Sequence, residues 1–380
     1  MFGLGAVDKK VVPAVNLILI PYLFAFLVTF CVAGFTVMTQ SWHASLTADH
    51  QAGIQKIHQS VTPRVGGLAI LIGLLVGWCV SPKYFFDGLF WPLLVASTPA
   101  FIFGFWEDVT KRVGVRARLL ATLSSGAFGF VLTEFSITDV NFILLDWVLQ
   151  FTFFSVFFTA VAVSGVANAV NIIDGLNGLA AGTTAMICGA FFAISLAFGD
   201  IHLSHVCLLI GSAAFGFLLF NWPFGKLFLG DGGAYLLGFS LAWIAVILLY
   251  RHVEISAWSP LLACSYPVLE VLFSMMRRRR RGLKVGEPDR LHLHSLVMRR
   301  LVMSRFTSLN RCAQNSLAGA VMCMFNVLPI AIAVGWPTNT MVLVVGLFLT
   351  AFIYSAFYAR LTQFVWCFSA VTLRERVTYA

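Results

Sequence analysis

Residues 151–178 read FTFFSVFFTAVAVSGVANAVNIIDGLNG, an apolar run that ends in amides, an acid and glycines. No charged residue precedes Asp174 in it. A run of about 20 such residues crosses a bilayer core of roughly 30 Å as a helix. Its end then changes character, with Asn168, Asn171, Asp174 and Asn177 following one another at close spacing. A membrane-length helix that runs into a polar, glycine-bearing loop puts chemistry at a membrane surface.

The pattern repeats in both directions. Apolar spans are expected at 11–36, 66–81, 89–106, 117–134, 147–168, 176–198, 203–220, 233–250, 255–276, 316–336 and 338–358. Each must satisfy its backbone internally, and the sequence shows no short alternating strands, so helices are expected. The fold class is an all-α polytopic membrane protein with about eleven transmembrane helices, or ten if the first stretch is not a span. No small-residue cleavage site follows that stretch, so it reads as a helix and not a signal peptide. Composition excludes the soluble alternative: of 380 residues, 59% are hydrophobic and 11% charged, and Phe alone contributes 37. A soluble domain averages about 45–50% apolar and about 25% charged. No soluble segment and no internal repeat stand out, so residues 1–380 read as a single integral membrane domain. The eight cysteines lie singly, mostly in apolar runs, and read as small buried hydrophobes.

Charge sets the orientation. Of the 25 Lys and Arg, only Lys9, Lys10, Lys83 and Arg251 fall outside the loops after odd-numbered spans and the C-terminal tail. The positive-inside rule makes those loops cytoplasmic. The net charge of +9 then reflects topology and anionic membrane-surface substrates, with no nucleic acid implied.

Four polar clusters lie in these loops. Glu107 and Asp108 end an apolar helix, with Lys111 one turn beyond Glu107. A solvated helix end is the plainer reading; a carboxylate pair for a cation or proton, with basic neighbours for an anion, is the functional one. Asn168–Gly182 carries three amides and Asp174, more than capping of the next helix requires. Gly230, Asp231 and Gly232 form a turn whose acid could hold Mg²⁺ for a diphosphate, with Phe228 either core packing or a base-stacking surface. Asp289, Arg290, His292 and His294 follow the Arg277–Arg281 run, and they suit phosphate binding or proton handling. The arginine run itself suits anionic headgroups.

Together with Thr62–Gly67, these motifs resemble the polyprenyl-phosphate N-acetylhexosamine-1-phosphate transferase superfamily, glycosyltransferase family 4, in family order over nearly the whole chain. The resemblance implies Glu107, Asp108, Asp174 and His292 as catalytic residues. It implies Lys111, Asn168, Asn177, Phe228, Arg290 and His294 as substrate-binding, and Asp231 and Asn171 as ligands of Mg²⁺, with Mn²⁺ as an alternative. Three departures stand out: Glu107 replaces the usual first Asp, Asn177 stands where many relatives have Asp, and Ser295 follows His294 where a His is common. The histidine motif resembles the O-antigen and common-antigen branch more than the peptidoglycan branch.

The implied activity is transfer of an N-acetylhexosamine-1-phosphate from a UDP-sugar to undecaprenyl phosphate, releasing UMP, to begin an O-antigen-type glycan. Implied partners are a UDP-N-acetylhexosamine, undecaprenyl phosphate, membrane lipids and a second copy in a homodimer. The implied location is the bacterial inner membrane, active site to the cytoplasm. Two alternatives remain at this point: the same chemistry on UDP-MurNAc-pentapeptide, and a non-catalytic lipid-phosphate transporter. A transporter should carry ionisable groups in mid-span, and Glu270 is the clearest one here.

Overall fold

A computed structural model of the chain describes residues 11–49, 62–86, 88–282 and 291–363, except the side chains of 11–18 and 44–49. Arg290 lies outside the described residues. The order opens with α1 (Val11–Met38), α2 (Gln40–Thr47), α3 (Gly66–Cys79), α4 (Phe90–Ala96), α5 (Thr98–Thr110) and α6 (Val115–Thr133). It continues with α7 (Ile143–Leu149), α8 (Thr152–Ile173), α9 (Leu179–Ala197), α10 (Ile201–Asn221), α11 (Gly230–Arg251), α12 (Trp258–Ala263) and α13 (Ser265–Arg280). After the short α14 (Leu293–Leu296), a π-helical turn and α15 (Met303–Arg305) come α16 (Arg311–Cys323), α17 (Val327–Gly335) and α18 (Thr340–Gln363). The only strands among the described residues are Ala48–Asp49 and Thr62–Pro63, an antiparallel pair two residues long.

Among the described residues, 8 helices are long and apolar enough to cross a membrane, against the eleven expected. The other three expected spans are helical but fall short for local reasons. The α3 helix has 14 residues. The 89–106 segment divides at Ser97, where Pro99 in the first turn of α5 has no amide to continue α4. The 255–276 segment divides at Cys264, ahead of Pro267. In the other direction, α16 and α17 join through a short 3-10 turn into one span, Arg311–Gly335.

The core is built on α11, 89% of whose apolar window is buried against at most 61% for any other span. Small residues admit its neighbours: a Cβ on Gly233 would stand 2.7 Å from the Cα of Gly67, so α3 and α11 meet backbone to backbone there. Large apolar side chains such as Phe153, Phe157 and Phe352 are exposed and suit a lipid-facing surface.

The N-terminal end of α11 meets the last turns of α5 and α8 and the first turn of α6. The far end of α11 is closed by Arg251, whose Nε donates to Asp200 Oδ2 at 2.7 Å. The motifs therefore collect at one end of the bundle.

Candidate active site

The first amides of a helix have no partner within it and carry its positive end. In α11 they are taken by acids from elsewhere in the chain. The amides of Asp231 and Gly232 donate to Asp108 Oδ1 and Oδ2, each at 2.9 Å, and the Gly230 amide reaches the Asp174 carboxylate. Gly230 must be glycine: its φ is 76°, and a Cβ would lie 2.5 Å from Asp108 Oδ2.

Asp231 sits in the first turn of α11 and points its own carboxylate at two arginines. Arg64 Nη2 donates to Oδ1 at 3.2 Å, and Arg118 Nη1 donates to Oδ2. Arg64 also stands 3.7 Å from Asp108 Oδ1. Its segment is held beside α11 by three backbone bonds, Phe228 to Pro63, Gly66 to Phe228 and Gly67 to Leu229. Three aspartates thus face two guanidiniums around one helix end, leaving an excess of negative charge.

Burial is the main influence on two of these acids, and the neighbouring carboxylates add to it. Burial first, then the Asp231 charge, pushes Asp108 up to about 7, against the pull of Arg64 and the two amides. Burial raises Asp174 to about 7 as well; Arg64 opposes it, and Asp231 and Asp108 add to it. Asp174 keeps some exposed surface, but its carboxyl is enclosed by protein.

The adjacent acids Glu107 and Asp108 part company. Asp108 is 1% exposed and serves α11, whereas Glu107 Oε2 accepts the Val113 amide at 2.8 Å and acts electrostatically on Arg118. Lys111 ends α5 in the left-handed region and returns its ammonium to the Asp108 carbonyl. Asn168 faces the seam between α6 and α8, donating to Ser164 O at 2.8 Å and Thr122 Oγ1 at 3.0 Å. Asn171 is half-buried one turn before Asp174. Asn177 is buried against α16, donating from Nδ2 to Ser316 Oγ at 3.1 Å while its Oδ1 has no partner. Phe228 is half-buried directly before the α11 turn.

His292 and His294 are both buried, their rings stacked at 5.4 Å and 5°. His294 Nε2 comes so close to Gly175 that a Cβ there would lie 2.5 Å away, which brings the histidine turn beside Asp174. Burial, the largest influence, lowers the His294 ring to about 4.

Arg64 and Arg118 were not foreseen as site residues. The available signal was electrostatic: Arg116 and Arg118 open α6, where a helix disfavours cations, so an acid partner was called for.

Residues 90–249, from α4 nearly to the end of α11, match the family described as Glycosyl transferase family 4. The chain is 27% identical over 252 residues to a probable undecaprenyl-phosphate N-acetylglucosaminyl 1-phosphate transferase of Bacillus subtilis, covering 65% of this chain and 69% of the relative. It is 28% identical over 285 residues to the undecaprenyl-phosphate alpha-N-acetylglucosaminyl 1-phosphate transferase of Escherichia coli K12, covering 72% and 74%. The enzyme of that name in Yersinia pestis is 25% identical with the same coverage. Asp108, Asp174 and Asp231, with Arg118, all lie inside the matched region.

Proposed function

The chain belongs to glycosyl transferase family 4, and from that premise we propose that it transfers an N-acetylhexosamine-1-phosphate from a UDP-sugar to undecaprenyl phosphate, releasing UMP. The observation that supports this most is the convergence of Asp108, Asp174, Asp231, Arg64 and Arg118 on the first turn of α11. Its guanidiniums would meet phosphate oxygens, and a divalent cation would offset its excess negative charge. Such a site suits a reaction in which two anions meet, because catalysis there is mainly positioning and charge neutralisation. The basic asymmetry of the loops supports a cytoplasmic-facing site, and a bacterial inner membrane is the location that goes with this reading. The histidine motif favours an O-antigen-type glycan over peptidoglycan as the product's destination.

The donor chemistry fits Mg²⁺. Among the described residues no three His, Cys, Asp or Glu form a complete metal-holding group. Mg²⁺ usually takes one or two carboxylates and leaves other positions to water and substrate phosphates. Asp231 and Asn171 are the proposed holders, and the bound ion would neutralise diphosphate charge. Both Asp231 oxygens already carry arginines, so those arginines would share that acid with the metal.

The protein's own groups then divide the work. Asp108 fixes the start of α11, and through it the direction of Asp231. Arg64 and Arg118 supply donors for phosphate oxygens. An oxygen of the lipid phosphate attacks the phosphorus attached to the sugar; the bond to UMP breaks and UMP leaves with its electron pair. The attacking phosphate is already an anion, so orientation by Asp174, Glu107 and His292 matters more than strong-base chemistry. Glu270, the mid-span acid a transporter would need, is instead bonded to His292 and Tyr354.

The test is which bond breaks. With UDP-GlcNAc labelled in its sugar-proximal phosphate, label should enter the lipid fraction and unlabelled UMP should appear in solution. Labelled UDP would refute the reaction class.

A further inference from the structure

We propose that Glu270 is a positioning residue that sets the ring of His292 and, through it, holds His294 beside the Asp174–Gly175 loop. The role in turnover rests on the transfer reaction proposed above; the role in orientation does not.

Glu270 lies on α13, fully buried, in an apolar stretch where an acid without partners would be costly. Both of its oxygens are occupied by groups from other elements. Oε1 accepts from His292 Nδ1 at 2.9 Å and from the Leu293 amide at 3.1 Å. Oε2 accepts from the Tyr354 hydroxyl of α18 at 3.0 Å and from the same Leu293 amide at 3.3 Å. His292 stands at the N-cap of α14, yet its own side chain makes no capping bond. One carboxylate therefore caps the turn and orients the residue that precedes it.

A carboxylate without a proton only accepts, so a neutral His292 must carry its hydrogen on Nδ1 and keep Nε2 as the acceptor. The fixed ring then stacks on His294, whose Nε2 lies against Gly175. A continuous set of contacts thus runs from Tyr354 through Glu270 and the two rings to the residue after Asp174. A carboxylate that only ties α13 to α18 would need the Tyr354 bond alone; the bonds to His292 and Leu293 aim at the site.

The experiment uses the full chain in detergent micelles, labelled with 15N-histidine, as wild type, Glu270→Gln, Glu270→Asp and Tyr354→Phe. Two-bond nitrogen–proton correlations report the His292 tautomer without reference to any reaction. The wild type should show the Nδ1–H form, and Glu270→Gln should lose it. In UMP release from UDP-GlcNAc, Glu270→Gln should raise KM or lower kcat/KM by about 10-fold or more, as loss of an orienting partner does. Glu270→Asp should recover part of this. Tyr354→Phe should keep the tautomer and stay within about twofold of wild type in KM, since the Glu270–His292 bond survives it. An Nε2–H tautomer in the wild type would overturn the proposal even if no variant folds. So would a Glu270→Gln protein that loses thermal stability but keeps both its KM and its kcat/KM. Absence of UMP release by the wild type would reject the transfer reaction, while the tautomer measurement would still decide the role of Glu270.

Discussion

The amide of Asp231 donates to Asp108 Oδ1 at 2.9 Å, so two acids 123 residues apart in sequence are joined by one bond at the mouth of α11. The relation is asymmetric. Asp108 uses its side chain to hold backbone, and Asp231 keeps its side chain for the two arginines.

That asymmetry separates two otherwise similar substitutions. Asp108→Asn turns one acceptor oxygen into a donor facing an amide, in a position 1% exposed. A buried unsatisfied group costs about 1–3 kcal/mol, so Asp108→Asn should lower Tm as well as activity. Asp231→Asn keeps the backbone bond and should stay close to wild-type stability while losing turnover. Thermal unfolding beside UMP release would check this; equal stability of the two variants would show that the Asp108 bonds do not anchor α11.

Arg118 reaches Asp231 from α6, and a lysine there would offer a point charge in place of a planar fork. Arg118→Lys should therefore remain folded but raise KM for the UDP-sugar, by about 10-fold or more if the fork also meets phosphate, since each factor of ten is about 1.4 kcal/mol. Steady-state kinetics at saturating Mg²⁺ would measure it, and an unchanged KM would remove Arg118 from the binding site.

Gly175 needs no side chain of its own, yet a Cβ there would lie 2.5 Å from His294 Nε2. Gly175→Ala should push the histidine turn away from Asp174 and cut activity well below half. Gly165→Ala, where a Cβ would meet nothing within 4 Å, is the control expected to stay near wild type.

The placement of chemistry at helix ends was legible because apolar runs switch abruptly to acids, amides and glycines. How the acids are used was not. Glu107 and Asp108 read as a pair, but neighbours on a helix project about 100° apart, and one serves α11 while the other serves the following loop. Arg118 counted only as a topology charge, and Arg64 only as another and as part of the Thr62–Gly67 motif, since their partner Asp231 comes from a distant helix. Glu270 looked solitary because His292 lies 22 residues on, beyond the arginine run, and Tyr354 84 residues on. The eleven expected spans yield eight long apolar helices among the described residues, because Pro99 and Pro267 interrupt segments whose hydropathy is continuous and α3 has only 14 residues.

The last expectation concerns acid. His294 is held at about 4 by burial, with Glu270 opposing and His292 and Arg299 assisting, whereas an unfolded histidine titrates near 6.5. Between those values the unfolded chain binds the extra proton, so this group's contribution to stability is complete above about pH 6.5 and is lost as pH falls toward 4. Asp108 and Asp174 act in the opposite sense. Their folded pKa of about 7 lies above the ordinary carboxylate value, so their contribution is greatest in acid and fades as pH rises toward 7. Of these three groups, one is weakened by acid and two are favoured by it. His294→Gln removes the first and leaves the others. On acidification from about pH 6.5 to about pH 4.5, its Tm should rise relative to the wild-type curve, by an amount corresponding to at most roughly 3 kcal/mol for a shift of this size. Parallel Tm curves for the two proteins would mean that the His294 ring is not held neutral in the fold.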